Sequence, residues 1–491
     1  MILAIDQGTT GTTCLVFDLD GGLVGRAYRE LTQHFPRPGW VEHDAEEIWQ
    51  VTSGVAGEAL ADAGVRAGAL TAVGITNQRE TVVVWDPATG RPLHRALVWQ
   101  DRRTAARCEG LRAAGLEDAV RARTGLVLDP YFSATKIEWL LENVDGLPER
   151  ARDGRAVFGT IDSWLVFKLT GEHVTDPSNA SRTLLYDINR GVWDAELLDR
   201  FGVPERAMAE LRPSIGSRGR TRRDALHGHE VEVCGVAGDQ QAALFGQACL
   251  EEGMGKNTYG TGSFVLVNAG HAPPAPARGL LTTVAWGIGD RLVYALEASI
   301  FVTGAAVQWL RDGLRIIDEA ADTERLAGSI SSNDGVYFVP ALTGLGSPYW
   351  DPHARGTIVG LTRGTGRAQL ARATLEAIAY QTCDAVDAMQ SAGSPELVEL
   401  RVDGGASVNA WLMQFQADVL GVPVLVPELA ETTALGAASM AAVGSGEWTL
   451  DRVSTGWRER VRYEPAMAES LRAELLEGWR DAVRRTTGAG G

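Results

Sequence analysis

The chain has 491 residues, 45% hydrophobic and 22% charged, with a formal net charge of −17. That length exceeds one ordinary hydrophobic core and asks for two or three domains, and the acidic balance argues against a nucleic-acid surface or an anionic membrane face. Five scattered cysteines (Cys14, Cys108, Cys234, Cys249 and Cys383) form no C-x-x-C pair, and no basic segment precedes an apolar run at the N-terminus, so a cytoplasmic protein with reduced, buried thiols is expected.

The first element, Ile2–Ile5, is an apolar strand that runs into Asp6, and the strand resumes at Cys14–Asp18. An ordinary hairpin needs two turn residues, typically Asn-Gly or Asp-Gly. Here the six residues Gly8–Thr13 stand between the strands, all glycine or threonine. Glycines let backbone N–H groups approach a ligand and threonines add hydroxyls, so the loop suits a phosphate, with Asp6 placed for a metal ion. A plain flexible hairpin is the competing reading. Asp44, with Glu47 three residues on, forms a capping box for a helix reaching about Asp62. Ala69–Thr76 and Glu80–Trp85 read as strands, and Thr135–Asn143 and Asp162–Leu169 as helices.

Between the two strands, Asn77-Gln78-Arg79-Glu80 puts a charged pair where apolar residues belong. A buried pair is costly unless its hydrogen bonds are satisfied. A polyol would satisfy it, Arg79 donating to hydroxyl oxygens and Glu80 accepting from hydroxyl protons; a structural ion pair would also account for it. Further on, the strand in Gly235–Gly238 ends at Asp239, ahead of a helix over Gln240–Gln247. Asp239 can be a general base for a hydroxyl attacking a phosphoryl group, or simply a turn or N-cap residue. Trp99, Tyr131 and Phe264 would supply aromatic walls for such a pocket, or core.

The second half echoes the first. Lys256–Ser263 leads through Gly260-Thr261-Gly262 into the apolar strand Phe264–Asn268, again a Gly/Thr/Ser turn between strands. Two such hairpins a domain length apart suggest a duplicated fold whose loops face each other across a cleft. The boundary falls around Phe245–Gly253, and His271–Arg278 is a loop within the second half. Arg367–Gln390 is a long amphipathic helix with Leu370, Leu375, Ile378 and Ala379 on its apolar side; Leu400–Val402 is a short strand; Asp403–Ala406 turns into a helix over Trp411–Leu420; Thr486–Gly491 is frayed. That last helix start would offer free N–H groups, and Asn409 could hydrogen-bond an adenine or ribose edge. There is no G-x-x-x-x-G-K-[ST] and no G-x-G-x-x-G after a strand, so any nucleotide is bound by another architecture. The three Gly-rich turns together fit an actin-like ATPase.

At these residues the chain resembles the FGGY family of carbohydrate kinases, nearly from end to end. The matching stretches include IDQGTTGTT, PGWVEHD, ITNQRE, VWQDRRT, TGLVLDPYFSATK, NASRTLLYDI, GVAGDQQAALFGQ, KNTYGTGSF, GLGSPYWDPHARG and RVDGGASVN. NQRE, YF after DP, GDQQAALFGQ and NTYGTGSF are closer to the glycerol branch than to the family at large. The resemblance implies an α/β fold of two actin-like ATPase (ribonuclease H-like) domains flanking a central cleft, residues 1–245 and 246–491. It implies transfer of the γ-phosphoryl group of ATP to the 3-hydroxyl of glycerol, with another polyol or a ketose such as xylulose or erythritol as the alternative acceptor. A non-catalytic nucleotide-dependent clamp or filament is the reading from a different class.

By the same resemblance Arg79 and Glu80 bind glycerol hydroxyls, and Asp239 binds the 3-hydroxyl and is the base. Gln240 and Tyr131 add hydrogen bonds, and Trp99 and Phe264 pack on the carbon skeleton. Thr9, Thr10, Gly11 and Thr261 meet the phosphates; Gly304, Gln308, Gly405 and Asn409 line the rest of the nucleotide site; Asp6 holds Mg²⁺. A homodimer or homotetramer is expected. Some positions depart from the family. Gly11-Thr12-Thr13 replaces serines followed by an arginine, so a cation that would assist ATP is missing at Thr13. Residues Asp224–Val233 lack the basic Gly-rich segment that binds fructose 1,6-bisphosphate in enteric members. His227 and His229 are spaced as surface residues, and Tyr463–Trp479 shows no clear site for a transport regulator.

Overall fold

The computed structural model describes residues 1–488. Two mixed sheets organise it. The first contains β1 (Ile2–Gln7), β2 (Gly11–Phe17), β3 (Leu23–Glu30), β4 (Ala72–Asn77) and β5 (Glu232–Gly238), in the order β5-β4-β1-β2-β3. The second contains β6 (Gly255–Tyr259), β7 (Ser263–Gly270), β8 (Leu281–Ile288), β9 (Arg291–Ile300), β10 (Leu400–Gly404), β11 (Val424–Pro427) and β12 (Glu459–Tyr463), in the order β8-β9-β7-β6-β10-β11-β12.

The duplication is visible strand by strand. β1 pairs antiparallel with β2 and parallel with β4, and β6 pairs antiparallel with β7 and parallel with β10. On the outer flanks β3 corresponds to β9 and β5 to β11, while β8 and β12 are extra edges on the second sheet. The chain is therefore an α/β protein of two ribonuclease H-like halves.

The main helices are α1 (Ala45–Asp62), α2 (Ala134–Asn143), α3 (Ile161–Thr170), α4 (Asp239–Gly246), α5 (Arg367–Ser391), α6 (Ala410–Leu420), α7 (Thr432–Gly444) and α8 (Glu469–Thr486). In α1 the apolar stripe Ile48, Val51, Val55 and Ala59 is buried, at helical spacing, beneath the first sheet. Asp44 caps it by accepting from the Glu46 and Glu47 amides. The expected capping box is half made, because the Glu47 carboxylate takes Thr32 N–H and Oγ1 instead. Leu375, Ile378 and Ala379 of α5 are buried in the second core, whereas Leu370 is half-buried against a separate cluster around Val302 and Phe338.

Three boundaries differ from expectation. The first turn is three residues, Gly8–Thr10, closed by Gly8 N–H to Gly11 O at 2.9 Å; Thr12 and Thr13 are already strand, Thr13 opposite Asp6. The strand expected from Glu80 starts at Val83, because Glu80 has φ of +63° and breaks it. α8 is helical to Thr486, and the remainder of the expected frayed tail, residues 489–491, lies outside the described residues.

The halves interlock through α7. Its alanines Ala434, Ala437, Ala438, Ala441 and Ala442 are buried against Ile2, Ala4, Ala72 and Cys234 of the first sheet, so a helix from the second half covers one face of the first. Small side chains allow that close approach. At the other end, Gln247 Nε2 and Thr432 Oγ1 both donate to Asp403 Oδ2, at 2.8 and 2.6 Å. All five cysteines are free and buried. Among the described residues no helix is long and apolar enough to cross a membrane.

Candidate functional site

The parallel strands β1, β4 and β5 end side by side, with Gln7, Asn77 and Gly238 in register. Everything that follows those ends converges: the Gly8–Thr10 turn after β1, Gln78-Arg79-Glu80 after β4, and Asp239 at the first position of α4 after β5. Ligand sites form at such strand ends because the diverging loops leave a crevice.

Arg79 is almost fully buried and reaches into the second half. Its two terminal nitrogens take both oxygens of Glu297 on β9, at 2.5 and 3.1 Å, and its Nε lies 3.2 Å from Asp239 Oδ1. Glu80 receives Arg182 Nε at 2.7 Å, and Arg182 also donates to Glu297 at 3.0 Å. Two arginines thus lock two glutamates across the halves. Burial opposes the charge of Arg79, yet Glu297 and its other acidic neighbours hold the guanidinium well above its usual range. For Glu297 burial pushes upward, but Arg182 and Arg79 more than offset it and bring the carboxyl to about 2. For Glu80 burial wins, and its proton affinity is raised despite both arginines.

The sequence left Arg79 and Glu80 either to bind hydroxyls or to form a structural ion pair. In the folded chain most of Arg79 is already committed, and Glu80 Oε2 and Asp239 Oδ2 are the oxygens without a hydrogen bond among the described residues. Arg182 and Glu297 had no role assigned from sequence. Glu297 did leave a signal: it is the one charge inside the otherwise uncharged run Leu292–Ile300.

The aromatic residues frame this cluster. Trp99 and Tyr131 meet edge to face at 5.5 Å, Tyr131 lies against the Arg182 guanidinium at 5.7 Å, and Phe264 against that of Arg79 at 5.9 Å. Trp99, Tyr131, Phe264 and Asp239 all keep partial exposure, whereas Gln240 is buried. Gln240 Oε1 accepts from Lys256 Nζ at 2.5 Å, so it is held from beneath by the second half. Burial brings that ammonium down to about 8 despite Asp403 and Asp239.

The first turn is tied down by side chains. Gln7 Nε2 donates to Gly8 O at 2.7 Å, Gln33 Nε2 to Thr9 O at 2.7 Å, and Gln78 Nε2 to Gly8 O at 3.2 Å. Trp99 Nε1 donates to Thr9 Oγ1 at 2.8 Å. The hydroxyl proton of Thr9 is thereby left for another acceptor, while Thr10 is exposed and Gly11 buried. Asp6 remains partly open at the end of β1, and burial together with the charge of Asp239 pushes its carboxyl up to about 7.

On the other side, the Gly260–Gly262 turn is held by backbone. Thr303 and Ala305 N–H donate to Thr261 O, and Gly304 N–H to Gly260 O at 3.0 Å. Thr261, Gly260 and Gln308 are exposed. Gly404 sits beside Tyr259 with φ of +85°, where a Cβ would fall 2.3 Å from Tyr259 O. The next residue, Gly405, is exposed, and a Cβ there would meet nothing within 4 Å. Asn409 caps α6, its Oδ1 accepting from Leu412 N–H at 2.9 Å, and its amide donates to Thr323 Oγ1 at 3.4 Å, which leaves one N–H for any base or ribose. Apart from Asp6, Thr10 and Gly11 on the first hairpin, the predicted residues fall into two sets. Arg79, Glu80, Trp99, Tyr131, Asp239, Gln240 and Phe264 form one connected cluster that touches Thr9, and Thr261, Gly304, Gln308, Gly405 and Asn409 line the loops of the second half.

Profiles for known families match both halves: the N-terminal domain of the FGGY family of carbohydrate kinases over residues 1–246 and its C-terminal domain over residues 255–445. The glycerol kinase of Deinococcus radiodurans is 56% identical over 488 residues, 99% of this chain and 97% of that protein. Glycerol kinase 2 of Thermotoga maritima is 52% identical over 490 residues, 99% of each. Among solved structures, Plasmodium falciparum glycerol kinase with ADP superposes with a TM-score of 0.94 at 36% identity, covering 99% of this chain and 98% of that one. The xylulose kinase of Rhodospirillum rubrum gives 0.88 at 26% identity, covering 99% of each.

Proposed function

This chain belongs to the FGGY family of carbohydrate kinases, and on that premise we propose that it transfers the γ-phosphoryl group of ATP to the 3-hydroxyl of glycerol, giving sn-glycerol 3-phosphate and ADP. The observation that carries the reading is the cluster around Arg79. It offers two free carboxylate oxygens and the Tyr131 hydroxyl inside a frame of Trp99, Tyr131 and Phe264. Polar atoms suit the hydroxyls of a triol and the rings suit its C–H faces. Full-length identity above 50% to glycerol kinases favours glycerol over a ketose, since the xylulose kinase is far more distant in sequence.

Asp239 accepts the hydroxyl proton as that oxygen attacks the γ-phosphorus and the bond to the bridging oxygen of ADP breaks. A positioned base contributes about 10²–10⁴ in rate. Arg79, held by Glu297, keeps Asp239 oriented, and Gln240 and Tyr131 align the other hydroxyls. The remaining catalysis is in-line positioning and charge neutralisation. Thr9 and Thr10 on one turn and Thr261 on the other contact the phosphates, with Gly11 shaping the first turn, and Gly304, Gln308, Gly405 and Asn409 line the nucleoside side.

The open carboxylate of Asp6, whose proton affinity is raised by burial and by Asp239, fits a hard divalent cation. Among the described residues no group of three or more His, Cys, Asp or Glu side chains forms a metal cage. Mg²⁺ needs none, being held ordinarily by one or two carboxylates with phosphates and water. Bound at Asp6, it would supply neutralisation of phosphoryl charge.

The division into residues 1–245 and 246–491, a cytoplasmic location, and a homodimer or homotetramer complete the proposal; light scattering of the purified protein tests the last. The activity itself is tested by ADP production with Mg-ATP, with and without glycerol, beside a panel of polyols and ketoses. Stimulation by glycerol alone is expected. Stimulation by a larger acceptor would reassign the pocket, and none at all would leave a non-catalytic nucleotide-binding protein.

A further inference from the structure

Lys136, in the first turn of α2, has no exposed surface, and among the described residues no carboxylate lies within 4.0 Å of its ammonium. Instead Nζ donates to three successive carbonyls, those of Pro130 at 2.6 Å, Tyr131 at 2.7 Å and Phe132 at 3.2 Å. All three protons of the ammonium are used. Burying a cation costs several kcal/mol; the three carbonyl dipoles offset it at contact, and the charges of Glu80, Asp101 and Asp129 do so from beyond 4.0 Å. A leucine would fill the space without that cost but would strand three carbonyls away from water.

What the cage fixes is a short loop with two outward consequences. Tyr131 carries the ring that meets Trp99, and its N–H is held by Asp129 Oδ1 at 2.8 Å. Ser133 Oγ donates to the Glu80 carbonyl at 2.9 Å, supporting the one acidic residue of the cluster with a left-handed backbone. Such a conformation in a non-glycine residue costs about 1–3 kcal/mol and persists only where its surroundings over-determine it. Ala134 N–H closes the same loop onto Thr183 O, next to Arg182.

We propose that Lys136 is a positioning residue for the acceptor, acting through the Pro130–Ser133 loop on Tyr131 and on the backbone of Glu80. It touches neither acceptor nor nucleotide. This rests on the reading of the cluster as the glycerol site. Among the described residues the turns assigned to ATP make no hydrogen bond to this loop, and Thr9 is linked to it only through the Trp99 ring, so the larger effect falls on the acceptor.

Steady-state kinetics of Lys136→Met, with the wild type as reference, test it. The glycerol KM is expected to rise about tenfold or more while the ATP KM stays within about twofold. Lys136→Gln keeps two N–H donors and carries the test should the Met variant fail to fold; it is expected to show the same split at smaller size. Equal rises in both KM values, or an unchanged glycerol KM, overturn the proposal. So does failure of both variants to fold, because the lysine would then hold the whole half rather than the acceptor wall. If the wild type itself shows no glycerol-dependent ADP release, it is the function that fails.

Discussion

The two hairpin turns, Gly8–Thr10 and Gly260–Gly262, share backbone topology and differ in what holds them. The first is gripped by side chains from Gln7, Gln33, Gln78 and Trp99, the last of which belongs to the acceptor cluster, with one backbone bond from Leu31 N–H to Thr10 O. The second is gripped by backbone N–H groups of Thr303, Gly304 and Ala305. Two residues before each turn stands a different chemistry, Asp6 in the first and Thr258 in the second, the latter bonded to Lys256. One duplicated frame therefore yields a turn wired to the acceptor and a turn wired to the backbone of Thr303–Ala305, the start of the short helix Gly304–Gln308. The Arg79–Glu297 pair ties the two sides together.

Changes at the acceptor cluster should strike turnover and stability hardest. Asp239→Asn is expected to lower glycerol-dependent kcat by about 10²–10⁴ while ATP affinity changes only a few fold, measured by coupled ADP assay and nucleotide titration. Near-normal turnover would remove the base. Glu297→Gln leaves two buried arginines under-compensated and should cost about 3–5 kcal/mol in urea unfolding; a loss near zero would mean the halves are held by α7 alone.

The same carboxyl sets an acid limb. Its folded value of about 2 lies below the ordinary 4.5, so the stability it contributes is complete above 4.5 and is lost as pH falls through 2. Between those values the unfolding free energy of Glu297→Gln should fall less steeply than that of the wild type.

Smaller effects separate the turns. Gly304→Ala would place a Cβ 2.6 Å from Gly260 O, so the second turn must shift; the ATP KM should rise about tenfold with the glycerol KM little changed. Trp99→Phe removes the N–H bond to Thr9 along with part of the ring that meets Tyr131; the lost bond is worth about 1 kcal/mol, or about fivefold in kcat/KM for ATP, while the lost ring area falls on the acceptor side. Were the first turn as sensitive to this edit as the second is to a methyl, the contrast between side-chain and backbone support would collapse.

Much of the frame was legible in local pattern. The Gly/Thr turns at 8 and 260, the strand ending at Asp239 and the helices at 45 and 367 all follow from periodicity and turn chemistry, which act over a few residues. The length of the first turn was overestimated because threonines fit a strand as well as a loop. The break at Glu80 was missed because nothing in its neighbours requires a left-handed acidic residue; Arg182 and Ser133 impose it from afar.

The sequence by itself determined a duplicated α/β chain, its family, and the residues that surround a strand-end cleft. Only the tertiary structure decided how those residues are charged and held: that Arg79 belongs to Glu297, 218 positions away, that Arg182 locks Glu80, and that Lys136 donates to three carbonyls. The physical reason is one of range. Helix, strand and turn preferences are written in adjacent residues, whereas a buried charge is stable only beside whichever partners folding brings within hydrogen-bond reach.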